Sequence, residues 1–74
     1  MMKNYAFKIE GSSANGQTWM ASGVMECEFH ETFNAAMKHT FQQLTNGEAV
    51  YGKPGVGCNG PYNILRVLIE QEIH

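Results

Sequence analysis

The sequence predicts an α+β domain, ββα(β)β, in which one amphipathic helix packs on a three- to four-stranded antiparallel sheet. Three observations lead there. Apolar residues alternate in two N-terminal runs, an Asn-Gly pair separates those runs, and near Thr32 the apolar period changes to that of a helix. At 74 residues there is room for a single domain, 1–74. A chain this short buries only about 60% of the surface its unfolded form exposes, so association with a partner is the readiest way for it to gain stability.

The first strand is predicted over 3–10, where Tyr5, Phe7 and Ile9 share one face and Lys8 and Glu10 the other. The six residues 11–16 are rich in turn formers, and Asn15-Gly16 is a strong hairpin signal. A second strand over 17–29 follows. It places Trp19, Ala21, Gly23, Met25, Cys27 and Phe29 toward the core and Thr18, Met20, Ser22, Val24, Glu26 and Glu28 away from it. Gly23 within this run marks a bulge or a close approach by another element.

The helix is predicted over 32–45. Phe33, Ala36, Met37, Thr40, Phe41 and Leu44 form an apolar stripe, about 140° wide at 100° per residue. Thr32 is expected as N-cap, its hydroxyl accepting from an amide of the first turn, with Glu31 at the positive end of the helix dipole. Asn46-Gly47 supplies the left-handed residue that ends a helix. A short, weak strand is predicted over 48–51. The stretch 52–61 holds both prolines and four of the eight glycines, which makes it an irregular connection with Tyr51 and Tyr62 as its anchors. Segment 62–72 is read as a strand rather than a helix, because Ile64, Val67 and Ile69 are β-branched and a larger sheet gives the helix enough surface to cover. In that strand Leu65, Val67, Ile69 and Ile73 alternate to one side, and Ile64 and Leu68 lie on the other.

Composition and charge exclude several functions. The five basic residues are scattered and the formal charge is −2, which removes the electrostatic term on which nucleic-acid affinity depends. Tyr5, Phe7 and Trp19 are the aromatics that could stack bases, but they are needed to meet the helix. No run approaches the roughly 20 apolar residues of a membrane span, and the N-terminus lacks a signal-peptide layout. The chain therefore reads as cytoplasmic, with Cys27 and Cys58 as reduced thiols.

Gly55-Val56-Gly57-Cys58-Asn59-Gly60 matches the glycine pattern of dinucleotide-binding loops, yet it lies outside a βαβ unit and no such unit fits between it and the C-terminus. No cofactor is expected. Cys27, His30, His39 and Cys58 lack the paired spacings of zinc modules, so no metal is expected. A Cys58 nucleophile with His30 or His39 as base is conceivable, but nothing in the sequence places these groups together. No catalytic residue is assigned.

What remains is surface. On the sheet face away from the helix, Met20, Val24 and Ile64 have no cover beside Thr18, Ser22, Lys8 and Arg66, and an uncovered apolar patch signals pairing with a copy of the chain or with another protein. The last strand at a sheet edge adds a second route, strand addition. In the glycine loop, Lys53 and Val56 at its tip and Tyr62 at its end complete the expected interaction surface, since long ordered loops tend to carry function. The element order, with Thr32-Phe-Asn-Ala-Ala-Met37 opening the helix, resembles that of HicB-type antitoxins and of other small bacterial and phage-encoded inhibitors. The likeness is one of architecture, and Asn34 or Ala35 stands where an acidic residue is usual. The expected function is a non-enzymatic protein–protein interaction module, a homodimer or a regulator or inhibitor of another protein. The alternative is a ligand-binding or catalytic site on the loop 52–62 with Cys58.

Overall fold

The computed structural model describes residues 1–52 and 60–72. One helix, α1 (Thr32–Asn46), lies on a four-stranded antiparallel sheet built from β1 (Lys3–Ser13), β2 (Thr18–Cys27), β3 (Val50–Tyr51) and β4 (Tyr62–Gln71) in the order β3-β2-β1-β4. The predicted α+β class and single helix are present. No helix among the described residues is long and apolar enough to cross a membrane.

The β1–β2 hairpin is longer than the turn formers suggested. Pairing runs from Lys3↔Cys27 to Ser12↔Thr18, so 11–13 are strand and the turn is confined to 14–16, closed by Gly16 with φ +81° and by Ser13 N–H donating to the Gln17 carbonyl. Gly11 is a strand residue because Trp19 pairs with it and lays its ring across it. Gly23 interrupts no ladder. It opens space instead, since a Cβ there would sit 3.1 Å from the Phe7 ring. Phe7 leans over Gly23 and stacks on His39 of α1, ring centroids 5.7 Å apart.

Tyr5, Phe7, Ile9, Trp19, Ala21, Met25 and Cys27 form the sheet side of the core, as the alternation predicted. Phe29 departs from that pattern. β2 ends at Cys27, and Phe29 opens a 3₁₀ turn (Phe29–Glu31) where its ring is exposed, tilted against Tyr5. The same turn changes the helix start. Thr32 is the first helical residue, not the cap; its hydroxyl donates to the Phe29 carbonyl at 3.0 Å, and Glu31 in the cap position makes no side-chain cap bond. At the other end Gly47 caps α1 in the left-handed conformation, φ +72°.

The helix packs through a narrower seam than its stripe implied. Ala36, Thr40 and Leu44 are buried, whereas Phe33 and Phe41 remain 55% and 49% exposed. Ala36 and Thr40 are small, and Thr40 hides its hydroxyl by donating to the Ala36 carbonyl at 2.8 Å, so this seam meets the sheet through little side-chain bulk. α1 sits on β2 and, less extensively, on β1.

One helix residue also extends the sheet. β3 pairs only with Trp19 and Met20, and Gly52 N–H donates to the Thr18 carbonyl, leaving the next outward groups of β2, those of Ser22, beyond its reach. Gln43 takes the place of a strand there: its Nε2 donates to the Ser22 carbonyl at 2.7 Å and its Oε1 accepts from Ser22 N–H at 3.4 Å. Solvent-accessible bonds of this kind contribute at the low end of the range for hydrogen bonds. Gln43→Ala is therefore expected to lower stability by only about 1 kcal/mol in all, while the Ser22 amide exchanges with solvent much faster. Native-state hydrogen exchange reads both.

Candidate interaction surface

Antiparallel partners share a sheet face, so the register states which side chains the helix leaves uncovered. Tyr5, Phe7, Ile9, Gly11 and Ser13 of β1 belong to the helix side. Their β4 partners are Gln71, Ile69, Val67, Ile64 and Tyr62. Lys8, Glu10 and Ser12 belong to the open side, opposite Leu68, Arg66 and Asn63. The register shifts between Glu10 and Gly11, where Leu65 is the extra residue of a β-bulge.

That bulge corrects the assignment of Ile64. A regular strand would put Ile64 on the open face with Arg66 and Leu68; the extra residue turns it to the helix side, where it is 37% exposed. Leu65 is displaced from the expected core side in exchange. It stands 67% exposed and helps wall a depression of about 370 Å³ on the open face with Glu10, Met20 and Val50.

The other expected surface residues separate by location. Val24 is on the open face and 59% exposed, and Met20 is half-buried at the floor of the depression. Tyr62 is half-buried on the helix side, packed edge-on against Trp19 with centroids 6.2 Å apart, so it stands at the margin of the core. Lys53 and Val56, with Cys58, lie outside the described residues.

The surface gains members that alternation did not single out: Leu65 and Val50 on the open face, and Phe33 and Phe41 of α1, exposed where Met37 is half-buried. The sequence carries no signal for the place of Leu65, because Leu65, Val67 and Ile69 alternate as in an unbroken strand and the bulge is set by how β4 pairs with β1.

Family models, characterised proteins and solved structures offer no match to this chain. Its own geometry is the only guide. Among the described residues no three His, Cys, Asp or Glu side chains group closely enough to hold a metal ion. His39 is engaged with Phe7, and Cys27 is buried at the end of β2. Burial, and after it the nearby Glu31 and Glu28 carboxylates, push the Cys27 thiol above its ordinary pKa of 9.0, opposite to the shift that makes a cysteine reactive.

Since the neutral thiol is the favoured form in the fold, its contribution to stability is complete below the ordinary thiol pKa and is lost as pH rises past it through the raised folded value. In a Cys58→Ser background, Cys27 is expected to react with a thiol reagent only as fast as the chain opens. Replacing Cys27 with Ala is expected to lessen the fall in melting temperature above about pH 9. Reagent kinetics and melting curves across pH check the two.

Proposed function

We propose that this domain is a non-enzymatic interaction module that works by binding protein, a second copy of itself first of all, and that it acts as a regulator or inhibitor through that surface. The observation that carries this reading is strand β4. Among the described residues it ends the sheet, and it presents Leu65 and Leu68 on the open face and Ile64 and Val67 on the helix side, all of them exposed. Monomeric domains of this size blunt such edges with charge, proline or a covering element. β4 contains no proline, its only charges are Arg66 and Glu70, of opposite sign, and among the described residues α1 lies over β2 and β1 instead. The depression walled by Met20, Val50 and Leu65 continues the apolar area across the open face.

The test is solution mass over a wide dilution series, followed by thermal melts with metals, nucleotides and common metabolites. A dimer whose melting is unmoved by all of these supports the reading. A monomer at every concentration, stabilised by one ligand class, overturns it and favours a ligand site built on 52–62.

A further inference from the structure

The direction of each backbone group in β4 follows from the ladder. Glu72 N–H donates to the Asn4 carbonyl, and the register continues through Ala6↔Glu70, Lys8↔Leu68 and Glu10↔Arg66. In an antiparallel pair the backbone groups of successive residues alternate in direction. Arg66, Leu68 and Glu70 therefore address β1 with their amides and carbonyls, while Val67, Ile69 and Gln71 point theirs outward, where no described strand receives them.

We infer that β4 pairs with β4 of a second copy, antiparallel about a two-fold axis beside Leu68, giving one continuous eight-stranded sheet with both helices on the same face. The inference rests on the interaction reading above and names its partner and register. With Leu68 on the axis, Val67 and Ile69 of the second copy exchange hydrogen bonds, as do Ile69 and Val67 of the second copy. Leu68 then meets Leu68 of the second copy, and Arg66 meets Glu70 of the second copy twice. Both of these fall at non-hydrogen-bonded positions, where opposed side chains are closest. Neither Arg66 nor Glu70 forms an ion pair with a described residue of its own chain.

Neighbouring registers fit less well. Moving the axis to Val67 sets Arg66 against Leu68. Moving it to Ile69 reaches Glu72 with Arg66 only by facing Leu68 with Glu70, both times. Charge complementarity and apolar matching thus agree on one register, and in it the exposed row Leu65–Leu68 and the row of exposed Val67 and half-buried Ile69 each continue into their own images.

Charge exchange tests this. Arg66→Glu places like charges across the interface twice, as does Glu70→Arg, and each variant alone is expected to dissociate roughly tenfold to a hundredfold more readily than the parent. Mixed together, the two variants present Glu against Arg at every such position, so a heterodimer of near-parental affinity is expected. That rescue cannot come from unfolded chains. Val67→Pro, which removes an outward donor and none that serves β1, is expected to give a folded monomer. Native mass spectrometry of the mixture and sedimentation of each variant supply the readouts. A parental dimer indifferent to both charge changes overturns this register while leaving the interaction reading intact. A parental monomer overturns the pairing itself, and its response to ligands then decides the wider reading.

Discussion

Gly11→Ala is expected to cost roughly 3 kcal/mol or more, at the upper end for overpacking, against a total stability of about 5 kcal/mol for a domain this small. No more than about 2 kcal/mol would remain, and the melting temperature is expected to fall by roughly 12–24 °C. The reason is the position of Gly11 in the middle strand pair. A Cβ there overlaps both the six-membered ring of Trp19 and the carbonyl oxygen of Asn63. One neighbour is a rigid ring 2% exposed in the core and the other is strand backbone at the bulge, so neither gives way cheaply. Gly16→Ala is the contrast: its Cβ would meet nothing within 4 Å, and only the positive φ of +81° opposes it, a cost of about 1 kcal/mol. Urea unfolding of the two variants is expected to separate them clearly.

Trp19→Ala is expected to be equally severe, about 3–5 kcal/mol by the behaviour of large-to-small changes in cores. Trp19 fills the space over Gly11, meets Tyr62 edge-on and pairs beside Tyr51. Its ring thereby links β2 to β1 and to the start of β4, while its backbone pairs with Tyr51 of β3. Removing it vacates the space between these side chains. Part of the loss is offset, because the Trp19 Nε1–H is buried with no partner among the described residues and its desolvation cost disappears with it. The two changes are expected to be non-additive. In the Trp19→Ala background one of the two obstacles to a side chain at Gly11 is gone, so Gly11→Ala costs less there than in the parent. Additive costs in a double-mutant cycle would contradict the packing described.

Much of the fold was legible residue by residue. The period-2 runs placed Tyr5, Phe7, Ile9, Trp19, Ala21, Met25 and Cys27 on the core side, and Gly47 ended the helix where expected. The misplaced residues share one cause. Thr32 lost its capping role to a 3₁₀ turn, Phe29 was carried out of the strand by that turn, and Phe33 and Phe41 were left outside the narrow seam. In each case a local preference yielded to how one element meets the next. Of the expected surface, Met20 and Val24 were assigned to the correct face, while Ile64 was exchanged for Leu65 by the bulge. Lys53 and Val56 fall in the stretch 53–59, outside the described residues.

By itself, then, the sequence determined the element types, the two faces of β1 and β2 and the buried half of the sheet, because side-chain periodicity is a local property that sterics and the hydrophobic effect act on directly. Only the tertiary structure decided the strand order, the use of Gln43 as a surrogate strand, the lodging of Trp19 over Gly11 and the bulge that exchanged Ile64 for Leu65. These depend on which distant segments pair and in what register. A one-residue slip inverts every side chain beyond it, and in β4 that slip set the rows of the edge through which we propose that the domain pairs.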